Sequence, residues 1–263
     1  MAIKRLRSGK TVSSELMANL SFSAKEQVYE AVRKQFAETV KLPAEYNTES
    51  ENINKMGLRI LKIGHDVNEY CEAVSGKTVF KTEQTEICGA LSEICEKAAG
   101  FIEERKIAFI RKIPRENIFV KIDREHFYYA ILNLFLNAAE NTPEGGRIRI
   151  SVSRTKKFVK ITVGDNGFGM DEESLKHCFE PFYTKNRYKG RKKTGLGLTL
   201  SHYFAAESGG RMNITSEEGK GTAVSILIPL MRENEINLSF SAFSPEIPGE
   251  RITPANIVFS VLE

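Results

Sequence analysis

Apolar residues recur along this chain with two periods, and the architecture changes where the period changes. Between Ser13 and about Val40, Leu16, Leu20, Val28, Val32, Phe36 and Val40 fall at spacings near four, the stripe of an amphipathic helix. KLPAEYNTES (41–50) interrupts it with a proline and a polar cluster. A second helical stripe follows in Ile53, Met56, Ile60, Ile63, Val67 and Tyr70, stopping near Ser75–Lys77. After a basic segment at 1–12, residues 13–76 therefore predict a helical hairpin. Each helix leaves its stripe half covered, which either a second copy (a four-helix bundle) or the following domain could complete.

From Val79 onward helical and alternating patterns interleave. Residues 85–107 read as a helix with Ile87, Leu91, Ile94, Cys95 and Ala98 inward, and IAFIRKIP and NIFVKID read as strands. REHFYYAILNLFLNAAEN (124–141) is a long helix. RIRISVSRTKKFVKITVGDNG holds two period-two strands around a charged turn, and RMNITSEEGKGTAVSILIP holds another hairpin. Between these hairpins LGLTLSHYFAAESGG is a helix stopped by paired glycines. Helices segregated from hairpin strands predict an α+β two-layer sandwich over 79–230. The last residues, 231–263, carry two strand-like runs, INLSF and NIVFSVL, around a Pro- and Gly-bearing stretch, with no assignable role.

Four short blocks stand in that second region: NLFLNAAENTP (133–143), GDNGFGM (164–170), FEPFYTK (179–185) and TGLGLTL (194–200), with GKGT (219–222) behind them. In this order and at these separations they resemble the N, G1, F and G2 boxes of the sensor histidine kinase ATP-binding domain. The resemblance implies a two-layer sandwich of the GHKL (Bergerat) type, with ATP and Mg²⁺ as its ligands.

Residue chemistry runs alongside. Asn133 and Asn137, four apart on a helix, share a face. An amide oxygen suits Mg²⁺, though two asparagines on a buried helix equally serve as satisfied core polars. The resemblance assigns the metal to Asn137 with Asn133 in support. Asp165 offers a carboxylate that accepts the exocyclic amine of adenine and rejects guanine, and Gly167 and Gly169 allow the backbone a tight turn. Phe182 and Lys185 lie in the hinge of a lid whose residues 185–193 include six Lys or Arg, either a phosphate clamp or a solvated charge run. Thr194, Gly195, Leu196 and Gly197 enter a helix start whose amides can cradle phosphate. Thr222 resembles the family's threonine near adenine. Hydrolytic relatives of the gyrase, Hsp90 and MutL kind carry a Glu where Asn133 stands, so the pocket is expected to hold ATP rather than hydrolyse it. Glu140 departs from the Lys that many members place three residues after the metal asparagine.

The hairpin departs further. The family's acceptor box reads like ANxSHELRTPL, whereas this chain has LMANLSFSAKEQVYEAV (16–32). Phe22 occupies the histidine position, Ser23 the acid, Glu26 the Thr or Asn, and Gln27 the Pro. A phenyl ring has no lone pair for a phosphoryl group. His65, followed by Asp66, is the other candidate acceptor, although a helical His beside an acid is most often solvated. His126, His177 and His202 read as structural.

Composition narrows the field without redirecting it. With 41% hydrophobic and 27% charged residues and a net charge of +4, nothing points to nucleic acid or to disorder throughout. Four cysteines without a CxxC pair, and no apolar run near the roughly 20 residues that span a bilayer, suggest a reducing, cytoplasmic setting, beside or as part of a membrane sensor. The expectation is an ATP–Mg-binding, homodimeric histidine-kinase-type protein of a two-component system, unable to phosphorylate its own hairpin. A response regulator or a sensor subunit would be its partner. Two alternatives stay open: an active histidine kinase using another acceptor such as His65, or a non-catalytic, nucleotide-dependent interaction switch.

Overall fold

The computed structural model describes residues 47–185, 194–237 and 254–259. The first expected hairpin helix, with Phe22, lies outside the described residues, as do the basic start and most of the lid. The chain divides between Thr78 and Val79 into two units. In the first, helix α1 (Asn47–Ser75) is the second helix of the expected hairpin. Ile60 and Ile63, from its apolar stripe, are 56% and 39% exposed, and Val74 is exposed too. Leu61 is buried beside them with Lys62 and Asp66, which pair at 2.7 Å one helical turn apart.

The second unit opens with strand β1 (Glu83–Glu86), where the sequence suggested that the helix had already begun. Helix α2 (Ile87–Glu104) starts where Glu86 folds back as its cap. The Glu86 carboxylate accepts from Cys88 N at 2.9 Å, Gly89 N at 2.6 Å and Ile118 N at 3.2 Å, and so ties the helix start to the chain before the next strand pair. Strands β2 (Ala108–Lys112) and β3 (Phe119–Ile122) follow, then α3 (Arg124–Asn141), β4 (Arg147–Arg154) and β5 (Phe158–Asp165). A short helix α4 (Glu172–His177) precedes α5 (Gly197–Glu207), and the β6 (Arg211–Glu217) and β7 (Gly221–Pro229) hairpin closes the sheet.

The main sheet has the order β2-β4-β5-β7-β6. It is mixed rather than a set of hairpins alone, because β2 runs parallel to β4. Strand β3 explains this: it leaves the main sheet to pair with β1, so the chain must cross through α3 before β4. Period-two alternation turns Ile148 and Ile150, Val159, Ile161 and Val163, and Val224, Ile226 and Ile228 inward. Against them pack Leu91, Ile94 and Cys95 of α2 and Ile131 and Phe135 of α3, each 0% exposed. Each fully buried side chain of this size contributes about 1.5–3 kcal/mol relative to exposure. Burial raises the Cys88 and Cys95 thiols to about 12, so both remain neutral core residues.

Asp123 caps α3, accepting from His126 N at 3.0 Å, and also accepts Lys81 N at 2.8 Å. Burial alone would raise its carboxyl. The hydrogen bonds from the His126 side chain, His126 N and Lys81 N outweigh that and hold it below the usual Asp range. That cap fixes the start of the helix that carries both candidate asparagines.

The tail corrects the strand expectation. Pro254–Phe259 forms helix α6, not part of a strand. A proline fits the first turn of a helix, and Ala255, Val258 and Phe259 then share one face at i, i+3 and i+4. A short apolar run rich in β-branched residues is ambiguous until something covers one side of it, and here the domain core does. All three residues are buried in that core, and the Phe259 ring stacks on Phe101 of α2 at 5.0 Å. Nearer the sheet, Gln84 receives the tail through its amide, accepting Asn237 N at 2.7 Å. The tail is thus a structural part of the second unit. Truncating Phe259 to Ala should cost about 3 kcal/mol and lower the melting midpoint by roughly 10 °C. A calorimetric shift under about 2 °C would show that α6 is peripheral.

Candidate functional site

Helix α3 runs its polar face toward the start of α5. Asn133 is 4% exposed, and its Cγ lies 3.4 Å from where a side-chain carbon on Gly197 would stand. Asn137, one turn on, is half-buried. Its Nδ2 is buried without a hydrogen-bond partner, while its carbonyl accepts Asn141 Nδ2 at 2.7 Å. An orphaned amide on a helix this well packed marks a group with an unmet interaction.

The end of α3 meets the loop after β5. The Asn141 carbonyl accepts Phe168 N at 2.9 Å, and a Cβ on Gly167 would fall 1.9 Å from that carbonyl oxygen. Gly169 has φ +65°, and a Cβ there would sit 1.9 Å from the Glu217 carbonyl oxygen. Both glycines are demanded by backbone running against backbone. Between them and the sheet, Asp165 Oδ1 accepts Gly167 N at 2.9 Å and Thr222 N at 3.2 Å. Its Oδ2 takes no hydrogen bond among the described residues. Burial pushes the Asp165 carboxyl above its ordinary range, against the lowering effect of those two amides.

Ser216, which the sequence reading passed over, locks the loop to the β6–β7 turn. Its Oγ accepts Met170 N at 2.8 Å and donates to the Gly221 carbonyl at 3.0 Å. With its own proton so used, it takes the Thr222 hydroxyl proton at 2.8 Å. A serine in a period-two strand carries no signal of this, since only register brings it opposite Thr222.

On the other side of the site, α5 begins at Gly197 without a side-chain cap on its first amides. Such amides suit an anion. Thr194 Oγ1 accepts Leu196 N at 3.3 Å. The lid's two ends are held together, with Phe182 N donating to the Gly195 carbonyl at 3.1 Å. Phe182 has φ +64° and is 47% exposed, a costly backbone for an aromatic residue, at the hinge the sequence pointed to. Lys185, expected as a phosphate clamp, is ion-paired with Asp171, the cap of α4. Phe179 anchors the segment on α5, accepting Thr199 Oγ1 at 3.1 Å and stacking on His202 at 4.7 Å.

Asp165, Gly167, Gly169 and Thr222 are thus joined by direct bonds or backbone contact, and Asn133 is joined to Gly197. Phe182 bonds Gly195 through the backbone, and Thr194 bonds Leu196 beside it. His65 lies in the other unit, half-buried on α1. Its neighbour Asp66 is engaged by Lys62, and consecutive helical residues do not face one another.

Known proteins bear on this arrangement. Residues 122–232 match the family of histidine kinase-, DNA gyrase B- and HSP90-like ATPases. Sensor histidine kinase WalK of Bacillus subtilis (strain 168) is 28% identical over 181 residues, 67% of this chain and 30% of its own length. Sporulation kinase D of the same strain is 36% identical over 121 residues, 46% of this chain and 23% of its own. The chain therefore spans less than a third of the length of these two relatives. Among solved structures, the catalytic domain of histidine kinase ThkA aligns at 27% identity and TM-score 0.51, covering 57% of this chain and 97% of that one. Full-length ShkA in complex with AMPPNP shares the fold, at 20% identity and TM-score 0.65, over 80% of this chain and 46% of its own. The fold, the joined boxes and these matches together show that residues 122–232 form an ATPase domain of the histidine kinase, DNA gyrase B and HSP90 kind, similar to that of sensor histidine kinases.

Proposed function

We propose that this chain binds ATP with Mg²⁺ in the second unit and serves a two-component system without phosphorylating its own hairpin. The observation that carries the nucleotide reading is Asp165: one oxygen is consumed by Gly167 and Thr222, and the other is left to accept the adenine amine. Guanine offers no donor there and would set a carbonyl against a carboxylate. The start of α5 cradles phosphate, and the Thr194–Gly197 turn orients it. The orphaned amide of Asn137 fits a magnesium site, turned so that Oδ1 faces the ion and Asn133 supports it from the same helical face. The bound ion would neutralise phosphate charge. Among the described residues no cluster of three or more His, Cys, Asp or Glu could hold a metal. A single amide oxygen beside substrate phosphates and water suits a magnesium ion that arrives with its nucleotide.

The loss of self-phosphorylation rests on Phe22 in the acceptor box. His65 gains no support as a substitute, because Asp66 is committed to Lys62. The exposed Ile60, Ile63 and Val74 on α1 support a second copy completing a bundle. A response regulator or a separate sensor subunit would then receive or supply the signal. No helix among the described residues is long and apolar enough to cross a membrane, and we place the domain in the cytoplasm beside a sensor.

Asp165→Asn separates stability from binding. Its Oδ1 can keep both amide bonds, while an Nδ2–H₂ group opposes the adenine amine. Nucleotide affinity should fall at least tenfold, roughly the value of a lost charge-assisted bond. Stability should not fall. A carboxyl raised above its unfolded value of 3.8 makes the folded state bind protons more tightly, so its burial costs stability increasingly as pH rises through that window. The variant should therefore melt at or above the wild type at neutral pH, the gap closing as pH drops toward the ordinary Asp range. A lower midpoint at neutral pH would make the carboxylate structural.

Incubation with γ-labelled ATP and Mg²⁺ tests the rest. The chain should bind ATP and gain no acid-labile label, Asn137→Ala should bind ATP–Mg at least tenfold more weakly, and Phe22→His with Ser23→Glu should gain label. Label on the unaltered chain would sink the acceptor-loss reading, and the His65→Ala variant would then identify or exclude that residue.

A further inference from the structure

The helices cover one face of the main sheet, and the other face has an unusual charge balance. Its outward positions follow from strand register. Lys112, Ser151, Thr162, Ser225 and Asn213 form one row across all five strands. Next to it, Ile110, Arg149, Gly164, Ala223 and Thr215 form a second. On the opposite side Lys160 and Arg211 flank Leu227 in register, and Arg147 stands two residues before Arg149. The face thus carries Lys112, Arg147, Arg149, Lys160 and Arg211, all exposed, against the single carboxylate Glu217 at its edge. The whole chain is nearly balanced, with 38 Lys and Arg against 34 Asp and Glu.

None of those five cations makes an ion pair among the described residues, and Glu217 is taken by Lys220 at 2.6 Å. Elsewhere on the unit Lys97, Lys106, Arg124 and Lys185 all have acidic partners. Between the cations the floor is low and polar. Thr162 and Ser225 bond hydroxyl to hydroxyl at 2.9 Å, and Gly164 and Ala223 lie in contact beside them. Arg211 lies over the Phe158 ring at 5.7 Å, which steadies one cation on the rim.

We infer that this open sheet face docks the acidic face of a partner protein's helix. Strands about 4.8 Å apart and residues about 3.4 Å apart along them set Lys160 and Arg211 about 10 Å from one another. The same spacings place Arg149 about 14 Å from Lys160. A helix about 10–12 Å across fits between Arg149 on one rim and Lys160 with Arg211 on the other, over the short side chains of Ser151, Thr162, Ser225 and Asn213. Carboxylates on one helical side then meet cations on both rims, and the Thr162 and Asn213 side chains add hydrogen-bonding capacity. An anionic membrane would meet the same charges. The recessed polar floor and the lack of an exposed large apolar side chain on this face favour a protein surface. The site lies on the sheet face opposite the nucleotide-binding helix, so the inference stands apart from the ATP reading.

The test uses the full chain and a labelled 21-residue Ala/Glu helical peptide with its glutamates along one side, read by fluorescence anisotropy. Binding should weaken at least tenfold between about 0.05 and 0.5 M salt, as expected for exposed charges beyond the screening length. Arg149→Glu with Lys160→Glu should cost at least tenfold, and so should the milder Lys160→Gln with Arg211→Gln. Lys106→Glu, on another surface, should cost under twofold. A thermal midpoint close to that of the unaltered chain shows that a variant is folded, and the milder pair serves if the reversal is not. Equal losses from Lys106→Glu, or no peptide binding, would overturn the inference. So would tighter binding to phosphatidylserine-containing vesicles than to the peptide through the same residues, which would reassign the face to a membrane.

Discussion

The second unit is organised around one oxygen atom. Asp165 Oδ1 accepts both the amide two residues ahead of it and the amide of Thr222, at the start of β7. Those bonds pin the loop after β5 to a neighbouring strand at the point where Asn141 closes on the loop from the other side. Each partner is a backbone group, so the arrangement tolerates little movement. The geometry that occupies one acceptor oxygen of Asp165 also presents the other, unbonded among the described residues, at a fixed position. Burial makes that oxygen expensive to keep ionised, and a ligand offering an N–H donor is what would offset the expense.

Much of this was legible because the constraints are local or repetitive. Period-two alternation identified the hairpins, and the asparagines four apart identified a shared helical face. The glycines in GDNGFG stood out because backbone packed on backbone permits no side chain. Three things were not legible. Ser216 acts through register, which no local pattern reveals. The parallel pairing of β2 with β4 depends on β3 abandoning the main sheet. The tail helix looked like a strand because Ile, Val and Phe in a short run satisfy either period until a core takes one face of it.

In the second unit the box residues lie against one another: Asp165 holds Gly167 and Thr222, Asn133 lies against Gly197, and Lys185 pairs with Asp171. Phe22 and its neighbours lie outside the described residues, so the acceptor reading stands on residue identity alone. Packing asks for shape and hydrophobicity, whereas phosphoryl transfer asks for a lone pair, and a phenyl ring meets only the first demand.

A bound nucleotide would account for features of the second unit that its core does not call for. The core that buries Ile131 and Phe135 would be satisfied by any apolar helix, and it does not call for an orphaned amide at Asn137 or an uncapped start to α5. Both features carry a cost: among the described residues they leave a buried N–H group of Asn137 and the first amides of α5 unmatched. A nucleotide with its magnesium ion would remove both costs, the phosphate oxygens accepting the α5 amides and the ion taking the Asn137 amide turned with Oδ1 toward it. Nucleotide binding would therefore satisfy the polar groups that this domain leaves unmet among its described residues.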